Sequence, residues 1–140
     1  MRFSLSAHLA RTNGVIPRTS DHQYSVLTAH SGDVMMSVFQ LRTYTLKTAA
    51  AASQYAEIWY RHIESLKLFH IATHGVFRPQ ENDRQVVALV SYADGVDIQA
   101  TTLAYMSSDA FHADMAGFEM AIIENVEETQ LVALPASPLQ

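Results

Sequence analysis

From Val38 to Leu46 the chain reads VFQLRTYTL, rich in β-branched and aromatic residues, which predicts a first strand. Thr48 then opens an alanine-rich stretch of high helix propensity and is a suitable cap for it. Tyr55, Ile58, Trp59, His62, Ile63, Leu66 and Phe69 recur at spacings of three and four, so they share one face of a helix over about 48–68. Glu57, Arg61, Glu64 and Lys67 fall largely on the other, solvated face. Ile71 to Phe77 predicts a second strand, ended by Pro79 and the polar loop Gln80-Glu81-Asn82-Asp83. Gln85 to Tyr92 (QVVALVSY) predicts a third, closed by the turn pair Asp94-Gly95.

Beyond the turn the pattern is less regular. Asp97 to Met106 suits a short helix, and Ser107 or Ser108 can cap another, whose apolar stripe is Phe111, Met115 and Phe118, with Gly117 near its end. Glu127 to Leu134 supplies a fourth strand before Pro135 and Pro138 stop regular structure. No repeat recurs at a fixed period. The order β-α-β-β-α-β predicts an α+β, ferredoxin-like domain with both helices on one face of an antiparallel sheet. In the third strand Val86, Ala88, Val90 and Tyr92 point one way and Val87 and Leu89 the other. Two helices cover only one of these apolar faces. A second copy packed sheet to sheet, as a homodimer, would cover the other.

Composition narrows the class. A chain of 140 residues with 49% hydrophobic residues fits one globular domain. No cysteine is present, which removes disulfides, thiolate metal sites and cysteine nucleophiles and fits a reducing, cytoplasmic setting. No apolar run approaches the roughly 20 residues a membrane helix needs, so no membrane partner is expected. A net charge of −5 argues against a nucleic-acid-coating surface. The charge is uneven: residues 1–35 carry three Arg against two Asp, while residues 36–140 carry six basic against twelve acidic groups. Residues 1–35 also lack a helical or strand period. They read as a flexible leader or as sequence upstream of a start at Met35 or Met36, with an organelle-targeting segment as the alternative. The folded domain is expected over 36–140.

Phe39-Gln40-Leu41-Arg42-Thr43-Tyr44-Thr45-Leu46 and His70-Ile71-Ala72-Thr73-His74-Gly75-Val76-Phe77 resemble the first half of NIPSNAP-family domains. Ala104-Tyr105-Met106, Phe111-His112-Ala113-Asp114-Met115-Ala116-Gly117-Phe118 and the closing Pro135-Ala136-Ser137-Pro138-Leu139 resemble the second half. The resemblance spans about residues 37–140. It implies a dimeric α/β barrel in which two ferredoxin-like sheets enclose a central space. It implies no established reaction: the wider superfamily includes cofactor-free oxygenases of aromatic substrates, haem-binding proteins and proteins without known activity.

Arg42 and Tyr44 lie two apart on the first strand and share a face with Gln40. If that face lines the barrel interior, Arg42 needs a carboxylate partner or a ligand with an acidic or carbonyl group, and Tyr44 adds a hydroxyl. The alternative is an Arg paired across the dimer to Asp or Glu, or one shielding a sheet edge. His70 and His74, four apart on a strand, stand roughly 13 Å apart at about 3.3 Å per residue and cannot share a metal ion. His74 precedes Gly75, and a strand glycine often marks a bulge or a close approach. There His74 is a candidate general base for a phenolic or enolic proton, or else a histidine satisfied by Tyr or backbone. His62 and Tyr92 are candidates to line the same space or to pack. No paired carboxylates, Gly-x-Ser-x-Gly elbow, Gly-x-Gly-x-x-Gly or Walker sequence occurs, so no cofactor is expected. Two functions remain. In one, Arg42, Tyr92 and His62 hold a small apolar molecule with a carbonyl or acidic group, which Tyr44 and His74 convert by oxygenase or isomerase chemistry without a cofactor. In the other, the domain is a non-catalytic oligomeric module.

Overall fold

A computed structural model describes residues 37–140; the expectations for residues 1–35 lie outside the described residues. Strand β1 (Val38–Leu46) leads into helix α1 (Ala49–Lys67), followed by β2 (Ala72–Phe77) and β3 (Gln85–Tyr92). Two short helices come next, α2 (Ile98–Met106) and α3 (Asp109–Asp114), and a 3₁₀ turn at Met120–Ile122 delivers the chain into β4 (Ile123–Val132). Each helix start has a side-chain cap that accepts an otherwise unpaired backbone N–H. Thr48 accepts from Ala51, Asp97 from Ala100 and Ser108 from Phe111. Gly117 takes a positive φ of 86°, which lets the chain turn after α3 where a side chain would be strained.

The sheet is antiparallel with strand order β2-β3-β1-β4, so the first strand and the third form its centre. This is the ferredoxin-like α+β arrangement the element order predicts. Residues facing each other across β1 and its neighbours share a side: Tyr44 stands opposite Val86 and Val126, and Arg42 opposite Ala88 and Glu128. The fourth strand begins four residues earlier than the sequence pattern suggests and ends two earlier. Glu124, Asn125 and Glu127 point outward from an edge strand, and their polarity masks a segment that pairs with β1 throughout.

The core lies between the sheet and the helices. Leu46, Val86, Ala88, Val90 and Val126 from the strands meet Ala52, Tyr55, Ile58, Trp59 and Leu66 from α1, and Phe111, Met115 and Phe118 close the far end. Burying a large side chain of this kind contributes about 1.5–3 kcal/mol, which makes this layer the main stabilising element. The opposite side of the sheet carries Leu41, Thr43, Val87 and Leu89, all half-exposed, with no helix over it. Among the described residues no helix is long and apolar enough to cross a membrane.

Candidate functional site

Because β1 alternates, Gln40, Arg42 and Tyr44 all point into the helix-covered side, and all three are buried. The expectation that this face lines a space between two sheets is therefore corrected: Arg42 and Tyr44 point into the protomer's own interior. Arg42 is 5% exposed. Its Nε–H donates to Gln40 Oε1 at 2.6 Å, and its two terminal nitrogens donate to the hydroxyls of Tyr44 and Tyr92. Thr102 on α2 reaches the Tyr92 hydroxyl at 2.8 Å. Burial works against the charge of Arg42, but Tyr44, Tyr92 and Glu128 more than offset it and hold its pKa above the usual arginine value. The carboxylate on its face is thus Glu128, its register neighbour within the same chain.

A second polar group enters from α1. His62 is 2% exposed, and its Nδ1 lies 2.9 Å from Asp114 Oδ2 at the end of α3. The same carboxylate oxygen accepts from Ser65 Oγ at 2.6 Å, and Ser65 Oγ is 2.7 Å from the Tyr105 hydroxyl of α2. Tyr105 also approaches His62 Nδ1 to 2.9 Å. Arg61 holds the Asp114 backbone carbonyl at 3.0 Å, fixing the carboxylate from outside. Phe111 stacks on the His62 ring at 5.5 Å, and Trp59 meets it edge-on at 5.2 Å. Burial lowers the His62 pKa, and the hydrogen bond to the Asp114 carboxylate and its charge offset this only in part. Burial likewise raises the Tyr55 and Tyr105 hydroxyls above the usual tyrosine range.

Between the two groups lies a cavity of about 40 Å³, walled by Arg42, Tyr44 and Glu128 from the sheet, by His62 from α1, and by apolar side chains. Met106, Met115 and Met120 line it too, and methionine is the side chain that most readily reshapes a wall. His62 Nε2 is buried with no hydrogen-bond partner.

Four of the five residues singled out in the sequence thus meet on one side of the sheet. Arg42, Tyr44 and His62 line the cavity, and Tyr92 stands behind Arg42 as its hydrogen-bond partner. His74 does not join them. It is the extra residue of a bulge in edge strand β2, where Thr73 pairs with Val90 and Gly75 with Leu89. Its ring is exposed on the far side, 2.8 Å from Ser91 Oγ and 5.1 Å from the Phe39 ring. The pairing of Tyr44 with His74 as catalytic partners is therefore corrected: the backbone of the sheet lies between them. Gly75 does mark a close approach, since a Cβ there would meet the Phe77 ring at 2.4 Å. His74 borders a shallow groove of about 460 Å³ between α1 and β2, shared with Trp59, Tyr60 and Thr73. Among the described residues, no group of three His, Asp or Glu is placed to hold a metal ion.

Asp114, Ser65, Tyr105 and Glu128 belong to the site and were not singled out as a group by sequence. Ser65 is three residues from His62 on the same helical face, a spacing visible in the chain. The contact with Asp114 spans 52 residues and has no local signature.

The single helix layer on a β2-β3-β1-β4 sheet, with a polar cluster enclosed between them, defines a ferredoxin-like α+β domain. The NIPSNAP family profile matches residues 39–138, and the chain belongs to that family. A NIPSNAP family protein of unknown function from Agrobacterium tumefaciens shares 20% identity at a TM-score of 0.62, over 75% of this chain and 95% of that one. An uncharacterized NIPSNAP-like domain protein from Burkholderia xenovorans shares 18% at 0.60, over 74% and 90%. A Bacteroides thetaiotaomicron protein named for antibiotic biosynthesis monooxygenases shares 18% at 0.52, over 75% and 94%. At these identities the likeness is one of fold. No curated protein matches the chain.

Proposed function

We propose that the domain binds a small, largely apolar molecule through a carbonyl or acidic group in the cavity between sheet and helices, with Arg42 as the anchor. The observation that carries this is a guanidinium 5% exposed, aimed from a central strand into a cavity rather than to solvent. A cation so placed costs folding energy unless its partners satisfy it, and a bidentate donor fork suits a carboxylate or carbonyl. Tyr44 supplies a further hydroxyl at the same wall, and Tyr92 and Gln40 keep the fork oriented. Conversion of the bound molecule would be oxygenase or isomerase chemistry carried by the chain's own residues. The reading includes a homodimer formed through the open sheet face, and a cytoplasmic setting in keeping with the absence of cysteine.

The size of the cavity favours a second reading. Space of about 40 Å³ is that of roughly three waters, at about 10–15 Å³ each, which suits a packed, non-catalytic oligomeric module. Native mass spectrometry of the full chain beside Arg42→Gln separates the two, with a thermal melt confirming that the variant is folded. The binding reading expects a dimer carrying extra small-molecule mass that the variant loses. Identical, ligand-free masses in both proteins, before and after addition of small carboxylic and keto acids, would support the module instead.

A further inference from the structure

His62 Nε2 is buried and makes no hydrogen bond among the described residues. A carboxylate only accepts hydrogen bonds, so of the two His62 tautomers the one with Nδ1–H meets Asp114 without opposed lone pairs, and the rest of the cluster then falls into one order. Tyr105 O–H donates to Ser65 Oγ at 2.7 Å, Ser65 O–H donates to Asp114 Oδ2 at 2.6 Å, and His62 Nδ1–H donates to the same oxygen at 2.9 Å. This leaves Nε2 as an unprotonated, basic nitrogen. It is buried, it has no partner, and its ring lines the cavity that Arg42 also lines. Phe111 stacked on one face and Trp59 against the edge keep the ring from turning.

We propose that His62 is a general base that removes a proton through Nε2 from the carbon beside the carbonyl of a small 2-oxo acid, with Asp114 as its positioning residue. The substrate class rests on the preceding reading of Arg42 as an anchor: the carboxylate takes the guanidinium fork, and the keto group turns toward Tyr44. The cavity limits the reacting end to a few heavy atoms, and the methionine wall admits a short chain beyond it. In the step, the C–H bond beside the carbonyl breaks, its proton goes to Nε2, and its electron pair becomes the C=C bond of an enolate. The carbonyl oxygen takes the negative charge next to Arg42 and Tyr44. The imidazolium that forms is balanced by Asp114 across Nδ1. The proton on Nε2 exchanges with one from water, and its return from Nε2 to the same carbon regenerates the ketone, so a solvent proton replaces the original one and no oxidant enters.

The test is exchange of the methyl protons of pyruvate in deuterated water, followed by proton NMR with the full chain, beside pyruvate binding measured by calorimetry. The wild type is expected to exchange the methyl group above the buffer rate. His62→Gln and Asp114→Asn are expected to keep pyruvate binding and lose about 100-fold or more of the exchange, a split that a merely structural role would not produce. Arg42→Lys is expected to weaken binding first. Undiminished exchange in His62→Gln, or binding that depends on Arg42 with no exchange at all, overturns the base and leaves the anchor standing. Absence of pyruvate binding to the wild type overturns both. Nitrogen-15 NMR supplies a readout that needs no ligand: a proton found on Nε2 rather than Nδ1 overturns the base by itself.

Discussion

The two faces of the sheet differ in what occupies them. On the helix side the central-strand positions Gln40, Arg42, Tyr44, Val86, Ala88, Val90 and Tyr92 are all buried, and the polar groups there form two hydrogen-bonded sets, Gln40 with Arg42 and His62 with Asp114. On the other side Leu41, Val87 and Leu89 are only half-covered, and the polar residues His74 and Ser91 satisfy each other at 2.8 Å beside Phe39. The chain end lies near this side: a shallow space of about 270 Å³ is bordered by Phe39, Leu89, Leu131 and the segment from Val132 to Leu139. The lesson is that one strand can supply both a ligand-type interior and an association-type surface. Alternation along β1 delivers Arg42 and Tyr44 to one and Leu41 and Thr43 to the other.

The largest effects are expected on the filled side. Leu46→Ala removes a fully buried side chain from the core centre and should cost about 2–5 kcal/mol in urea unfolding. A loss under about 1 kcal/mol would mean that this layer is less tightly packed than its burial implies. Asp114→Ala removes the charged acceptor that Ser65 Oγ and His62 Nδ1 share and leaves them the Tyr105 hydroxyl, 2.7 and 2.9 Å away. At about 1.5–3 kcal/mol for a hydrogen bond to a charged group, the same titration should show a loss of about 2 kcal/mol.

A change of pH sharpens the contrast through His62, a buried histidine of the filled side. Burial lowers His62 below its usual value, with Asp114 opposing that and Arg42 and Arg61 adding to it. Below about pH 6.5 the unfolded chain binds a proton at this residue that the native state refuses. Stability contributed by neutral His62 is therefore complete above that pH and declines as acid approaches the folded value. The melting temperature should fall between about pH 7.5 and pH 5.5, and the fall should be smaller in His62→Gln. An equal fall in both would assign the acid sensitivity to other groups.

Smaller effects on folding are expected from the open side. Leu89→Lys should leave the unfolding free energy within about 0.5 kcal/mol, while converting the proposed dimer to a monomer in sedimentation. A variant that remains dimeric would move the pairing surface elsewhere. His74→Ala removes one half-exposed hydrogen bond and should cost less than about 1 kcal/mol. It should also leave pyruvate exchange unchanged, since the sheet separates it from Arg42. Loss of exchange there would erase the distinction between the two faces.

Much of the scaffold was legible along the chain. The strand VFQLRTYTL and the strand QVVALVSY appear with the boundaries their composition suggests, and Thr48 caps the helix it precedes. The Gly75 irregularity and the shared face of Arg42 and Tyr44 were also readable, because a period of two and a glycine are local features. The fourth strand was misplaced because an edge strand with one solvated face carries charges that look like loop. The candidate site was half legible: Arg42, Tyr44, Tyr92 and His62 were visible as residues, but His74 was joined to them wrongly.

What the sequence determined by itself is the element order, the caps, the two apolar faces of the central strands and the family to which the chain is similar. These depend on neighbours within a few residues, where backbone geometry dictates which side chains align. Only the tertiary structure decided which face the helices cover, and hence that Arg42 points into the protomer and His74 away from it. It alone carried Asp114 across 52 residues to His62 and set Glu128 opposite Arg42. The physical reason is that burial belongs to packed layers, not to segments. A polar residue on an alternating strand carries no mark of which side will be closed to water until another element lies over it.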